Sequence, residues 1–161
     1  MTCHGKYTWS YGITTITKRW DVLLPNTLAS LHQAGFDKPV LFVDGGNAEH
    51  YNRFELEVTI RKSPIRAFGN WILALAELYI RNPRADRFAV FQDDIVAYKN
   101  LREYLEKADY PDRGYLNLYT FPENEDGSIA KTVGFLQSVQ RGLGALALVF
   151  DRHATMKLLA S

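Results

Sequence analysis

The stretch 88–96 constrains the fold of this chain more than any other segment, and it contains Phe-Ala-Val-Phe-Gln-Asp-Asp-Ile-Val. Four uncharged, mostly large apolar residues lead directly into Gln92, Asp93 and Asp94. A short apolar run of this kind is typical of a buried strand in a mostly parallel sheet, whose carboxyl end opens into a ligand crevice. Two adjacent carboxylates there cost too much desolvation free energy to stay unpaired. The sequence therefore predicts that they bind a cation.

The first third of the chain has a strand, helix, strand pattern. Residues 12–17 are rich in β-branched side chains and predict the first strand, after a loose lead-in over residues 1–10. Apolar residues at helical spacing then predict a helix that Gly35 ends: Leu24, Leu28, Leu31 and Ala34. Residues 39–44 predict the second strand. The short connections favour a right-handed parallel unit.

The remaining segments continue the alternation. A polar loop is expected over 47–56 and a third strand over 58–61. Ser63 and Pro64 predict the start of a helix whose inner face consists of Phe68, Ile72, Leu75 and Tyr79. Asn100, with Glu103 three residues later, predicts a capped helix. Strands are predicted over 115–120 and 145–150, and Asp151 is expected to cap a final helix.

Composition restricts the class of protein. With 161 residues, of which 47% are hydrophobic and 23% charged, the chain fits one globular domain over 1–161. Its net charge of +1 argues against a generic binder of nucleic acid or of membrane surfaces. Its one cysteine excludes an intrachain disulfide, and no apolar segment suits a signal peptide or a membrane span. We expect a cytoplasmic protein.

The candidate site follows from the predicted sheet. In an open α/β sheet the carboxyl ends of the strands share one crevice, so residues 14–19, 44–46 and 92–94 are expected to converge. Their hydroxyls, carboxylates and glycines suit a ribonucleotide with a divalent metal on its phosphates. Hard oxygen ligands favour magnesium or manganese over zinc.

The ordered set of these segments resembles the GT-A-fold glycosyltransferases. It is most similar to the small bacterial and phage-type enzymes with a degenerate Asp-x-Asp motif, here Gln92-Asp93-Asp94. The resemblance covers nearly the whole chain from Tyr11. It rests on Asn70 and on the segments 13–19, 27–31, 34–36, 41–44, 91–95 and 142–146.

The resemblance implies a GT-A-like, Rossmann-like fold and a role for each matching residue. Asp94 would bind the Mn²⁺ or Mg²⁺ that bridges the donor diphosphate, and Asp93 would hold ribose hydroxyls or a metal-bound water. Gln92 replaces the acid often found at the first place of the motif. The other nucleotide-binding residues would be Thr14 and Thr15 in the pocket, Asp44 at the base, and Arg66 and Asn70 toward base or phosphate.

The resemblance also implies an activity, the transfer of a sugar from a nucleoside-diphosphate sugar, with uridine the expected base, to a glycan or other hydroxyl acceptor. A turn containing Gly142, Gly144 and Ala145 would approach the sugar or the acceptor. In such families the catalytic base, and often a metal-binding histidine, lie beyond the last visible strand, so we expect either that a C-terminal part is missing or that the catalytic apparatus is reduced. No catalytic residue is assigned; Glu125 and Asp126 are the first candidates for a base.

The same residues allow simpler interpretations. The carboxylate pair could be a strand-end turn paired with Lys or Arg, and residues 44–46 could be only a turn. Thr14 and Thr15 could serve as strand formers, and Asn70 as a surface amide. For the whole chain, one alternative is a non-catalytic nucleotide- or carbohydrate-binding module on the same fold. The other is a magnesium-dependent phosphohydrolase with the Asp pair as nucleophile, which is disfavoured because no lysine or threonine motif in a suitable order accompanies the pair.

Overall fold

The computed structural model describes residues 6–111, 114–119 and 146–161, which form one α/β domain. In chain order the elements are β1 Trp9–Thr15, α1 Leu23–Ala34, β2 Val40–Val43, a 3-10 helix Ala48–Phe54, β3 Val58–Ile60, α2 Arg66–Arg81, β4 Arg87–Gln92, α3 Leu101–Lys107, β5 Leu116–Asn117, β6 Ala147–Asp151 and α4 Arg152–Leu159. None of the described helices is long and apolar enough to cross a membrane.

The strands form a six-stranded mixed sheet in the order β3-β2-β1-β4-β6-β5. The first four strands are parallel, whereas β6 runs antiparallel to both β4 and β5. The predicted α/β class with helices around a central sheet is confirmed. The antiparallel pairs at one side are a feature that the sequence patterns did not reveal.

Side chains of β4 alternate between two apolar layers, as expected for a strand buried on both faces. Ala89 and Phe91 face a layer that includes Leu24 and Leu31 of α1. Phe88 and Val90 face the opposite layer, which α2 helps to build. Members of this second layer include Phe42, Leu75, Leu78 and Phe150. Because both faces are covered, polar groups concentrate where the strands end.

The parallel register aligns those ends. Thr14 of β1 lies opposite Gln92 of β4, and Thr15 lies opposite Val43 of β2. The next residues along β4 and β2 are Asp93 and Asp44, so both carboxylates emerge at the same edge as the end of β1. The predicted convergence of these segments is observed.

Gly35 adopts a left-handed conformation with φ 96° at the end of α1, as expected. The side chain of Asp151 accepts a hydrogen bond from the amide of Ala154 at 2.7 Å, so the predicted cap of α4 is also confirmed. Asn100, in contrast, has φ 62° and makes no side-chain cap. The predicted capping box is therefore wrong, because this backbone conformation removes Asn100 from the geometry of an N-cap.

The predicted boundaries were wrong in three other places. β1 begins at Trp9, inside the expected lead-in, because Trp9 and Tyr11 pack in the same apolar layer as Phe36. Residues expected to form a loop after β2 contain the 3-10 helix, whose first turn is capped by Asn47. Within the described part of the strand expected over 115–120, the residues in register with β6 are Leu116 and Asn117, and the Leu118 main-chain amide donates to Ala147 O at 2.9 Å.

The predicted inner face of α2 was only partly correct: Leu75 is buried and Tyr79 packs against the same apolar layer. The buried residues are Asn70, Ala74, Leu75 and Leu78, whereas Phe68 is 77% exposed. The helix begins at Arg66 and not at Pro64.

Candidate functional site

Asp93 is the most buried carboxylate of the candidate site, and both of its oxygens are hydrogen-bonded. It lies on the turn that follows β4, and its side chain is 3% exposed. The Thr15 hydroxyl donates to Oδ2 at 2.6 Å, and Arg19 Nη1 donates to Oδ1 at 2.9 Å. Both donors belong to β1 or to the loop after it. Pairing of β1 with β4 thus provides the partners that a buried carboxylate requires.

Arg19 joins Asp93 to Asp94. The same nitrogen, Nη1, donates to Asp94 Oδ2 at 2.8 Å, so the two carboxylates converge on one cationic atom. Hydrogen bonding to Asp93 and the charges of both carboxylates raise the pKa of Arg19. The three side chains carry a net charge of −1. The cation that the sequence predicts for this carboxylate pair is, in this structure, the guanidinium of Arg19.

Thr27 of α1 fixes the backbone of the carboxylate turn. Its hydroxyl is within hydrogen-bond distance of two main-chain oxygens, Asp93 O at 2.8 Å and Ile95 O at 2.9 Å. Thr27 is 1% exposed, so these contacts lie in a region from which water is excluded. The turn is therefore held independently of the side-chain ion pairs.

Tyr51, on the 3-10 helix, is a buried neighbour of this cluster. Its hydroxyl has no hydrogen-bond partner among the described residues. Burial raises the pKa of Tyr51, and the negative charge of Asp93 raises it further.

An aromatic stack involves Trp20, the residue that follows Arg19 in the chain. The rings of Trp20 and His50 are stacked with centroids 5.0 Å apart, and the Arg53 guanidinium lies 4.6 Å from the Trp20 ring centroid. Arg53 also donates to the main-chain oxygen of Trp20 at 2.7 Å. These contacts attach the loop that carries Arg19 to the 3-10 helix.

Asp44 forms an N-terminal cap for α2, although it lies far from that helix in sequence. Its Oδ1 accepts from the Ile65 amide at 2.7 Å, and its Oδ2 accepts from the Arg66 amide at 2.9 Å. A carboxylate at this place satisfies free N–H groups and complements the positive end of the helix dipole. Contact of Asp44 with a nucleotide base remains a prediction. The structure shows both oxygens engaged with the backbone.

The remaining nucleotide-binding predictions on α2 separate in space. Asn70 is buried; its Nδ2 donates to Phe42 O at 2.8 Å, and its Oδ1 accepts from Arg61 Nε at 3.0 Å. These bonds attach α2 to β2 and to the end of β3. Arg66 is exposed and has φ 66° at the first residue of α2. Arg66 is thus the more accessible of these two predicted ligands.

Thr14 and Gln92 lie side by side on the central strands. The Thr14 hydroxyl donates to Phe91 O at 3.2 Å, and the main-chain amide of Gln92 donates to Leu146 O at 2.7 Å. Both residues therefore contribute to pairing between strands. Other predicted positions lie outside the described residues, namely Gly142, Gly144, Ala145, Glu125 and Asp126.

The donor set bears on whether Mn²⁺ or Mg²⁺ fits here. In the described part of the chain, no group of three or more His, Cys, Asp or Glu side chains is arranged to hold a metal ion. Asp93 and Asp94 nevertheless provide hard oxygens that converge on one cation position. One or two carboxylates suffice for magnesium when phosphates and waters complete the shell. The donor atoms of the pair are therefore chemically compatible with magnesium or manganese.

Sequence patterns did not identify Thr27, Tyr51 or the specific pairing of Arg19. Thr27 had a detectable signal, since it interrupts the buried stripe of α1 with a polar residue between Leu24 and Leu31. Tyr51 lay in a segment expected to be a loop, so its burial had no signal. Arg19 was one of several basic residues that could have met the carboxylates.

The sequence of this chain differs from those of characterised proteins. No family model matches it, and no curated protein matches it significantly.

Proposed function

We propose that this chain is a metal-dependent glycosyltransferase domain that binds a nucleoside-diphosphate sugar, with uridine as the base and a hydroxyl compound as acceptor. One observation carries the proposal: Asp93 and Asp94 converge on a single cation position at the carboxyl end of β4. Thr15 and Arg19, from β1 and its loop, flank that position. This edge is where ligands bind in open α/β sheets.

Each residue of the site has a separate task in this proposal. Asp94, which is partly exposed, is the first carboxylate available to a metal, and Asp93 is the fixed second one. A divalent metal would supply Lewis-acid stabilisation of the diphosphate leaving group. Thr15 and Thr27 hold Asp93 in place, so little reorganisation is needed when a ligand arrives.

A non-catalytic nucleotide-binding module is the second candidate, and the Arg19 contacts favour it. Both carboxylates are already paired with a guanidinium, as in a structural strand-end turn. Such a module would bind a nucleotide without transferring sugar. Incubation with nucleotide sugars and glycan acceptors separates the two candidates, because only the enzyme forms a glycosylated product.

Nucleotide binding is tested by thermal unfolding of the full chain with uridine, guanosine and adenosine diphosphates. We expect stabilisation by uridine diphosphate with Mn²⁺ or Mg²⁺, and none in excess chelator. A ligand at 100 times its dissociation constant adds about 2.7 kcal/mol to the free energy of unfolding. Equal stabilisation in chelator would contradict a metal-dependent site.

Asp94→Asn tests the metal ligand. We expect this variant to lose Mn²⁺-dependent binding of uridine diphosphate but to keep its fold, because the remaining Arg19–Asp93 pair is electrically neutral. The change in unfolding free energy should stay within about 1 kcal/mol, since Asp94 is partly exposed. Asp109→Asn is the matched control; Asp109 is also exposed and loses the same charge. Retained metal-dependent affinity in Asp94→Asn would move the site elsewhere.

A further inference from the structure

Arg19 lies at the cation position of the proposed site. Its Nη1 is 2.9 Å from Asp93 Oδ1 and 2.8 Å from Asp94 Oδ2. A divalent metal held by the same two oxygens would meet the guanidinium directly. Two cations cannot share that point, because like charges at such short range repel strongly.

The backbone of Arg19 is held by hydrogen bonds, whereas its side chain is partly exposed. Its amide donates to Ile16 O at 3.1 Å, and its carbonyl accepts from the Leu24 amide at 3.0 Å. The side chain is 36% exposed. Its hydrogen bonds to Asp93 and Asp94 both come from a single atom, Nη1. Rotation about the side-chain torsions of Arg19, with its backbone in place, would release both carboxylates.

The carboxylates keep their positions when Arg19 leaves. Thr15 still donates to Asp93 Oδ2, and Thr27 still holds the main-chain oxygen of Asp93. Without the guanidinium the pair carries a charge of −2, which must be met by another cation. A divalent metal supplies that charge, and the released guanidinium is then available for a diphosphate, which it binds well.

We propose that Arg19 is an exchangeable counter-ion: it pairs with Asp93 and Asp94 in the free protein, yields them to a divalent metal, and then contacts the diphosphate. This inference rests on the proposed function. It makes Arg19 a competitor of the metal and a ligand of the nucleotide. Removing Arg19 therefore shifts the two affinities in opposite directions, whereas loss of a purely structural ion pair leaves both unchanged.

The test uses the full chain, Arg19→Gln, and Lys18→Gln as a control that loses the same charge from the exposed neighbouring residue. Mn²⁺ binding without nucleotide is measured by electron paramagnetic resonance of free Mn²⁺. Uridine diphosphate is then titrated calorimetrically at saturating Mn²⁺. We expect Arg19→Gln to bind Mn²⁺ about 10- to 100-fold more tightly and uridine diphosphate at least about tenfold more weakly, the range for charge-assisted hydrogen bonds. Lys18→Gln should change each affinity less than about threefold.

Two results would overturn the exchange while leaving nucleotide binding intact. Unchanged Mn²⁺ affinity with weaker nucleotide binding would make Arg19 a phosphate ligand only. Affinities unchanged in Arg19→Gln would make it a structural ion pair. If none of the three proteins binds Mn²⁺ or uridine diphosphate, both the proposed function and the exchange are contradicted. Should Arg19→Gln fail to fold, Arg19→Lys retains the charge without the planar fork, and a smaller shift of both affinities in the same directions is expected.

Discussion

The cap that Asp44 provides for α2 gives a prediction whose size follows from two contacts. Asp44→Ala removes both acceptors for the amides of Ile65 and Arg66, now held at 2.7 and 2.9 Å. Loss of an N-terminal cap costs about 0.5–2 kcal/mol, and loss of the charge at the positive end of the helix adds about 0.5 kcal/mol. Since Asp44 is buried, we expect a loss near the upper end, about 2 kcal/mol of unfolding free energy.

Urea denaturation measures that loss, and a thermal melt should show a decrease of about 4–8 °C for a chain of this length. Asp37→Ala is the matched control: the same charge is lost, but Asp37 is exposed and pairs with the exposed His32. Its effect should remain within about 0.5 kcal/mol. A similarly small loss in Asp44→Ala, accompanied by weaker binding of uridine diphosphate, would refute the cap and support contact with the base.

Two further predictions concern the sheet. Hydrogen bonds from the amide and hydroxyl of Thr8 lower the pKa of Asp86. This carboxylate therefore stabilises the fold above its unfolded pKa of about 3.9, and the stabilisation is lost as pH falls through the lower pKa of the folded state. Asp86→Asn should thus be less stable than the parent at pH 7 and converge with it under acid denaturation; a constant difference would contradict this cause. Gly12→Ala would place its Cβ 2.5 Å from the Phe42 ring and 2.7 Å from Val40 O, and should cost about 1–3 kcal/mol in urea; an unchanged midpoint would refute this packing.

The α/β class and most element positions could be predicted from local patterns. The apolar run over 88–91 and the glycine after α1 act over a few residues, so tertiary contacts did not need to be known. The inner face of α2 could not be predicted in the same way. This helix carries apolar residues around most of its circumference, including the exposed Phe68, Leu73 and Ile80. The spacing of apolar residues therefore does not determine which face of α2 is buried. Packing of the helix against the sheet determines it.

Strand direction was likewise beyond the local patterns. β6 is a buried apolar run like those of the parallel strands, yet it pairs antiparallel with β4. An apolar run buried on both faces looks the same in either direction. Asn70 shows the related limit for a polar residue. Its burial against Phe42 O and Arg61 depends on how α2 docks, which local spacing does not encode.

The sequence alone determined that two carboxylates follow a buried strand and that they require a cation, because desolvation of adjacent negative charges is costly wherever that strand packs. Only the tertiary structure decided which cation meets them. Parallel pairing of β1 with β4 brings Arg19 to Asp93 across 74 residues of sequence and to Asp94 across 75. Several basic side chains carry the required charge. The position of the loop after β1 selects Arg19.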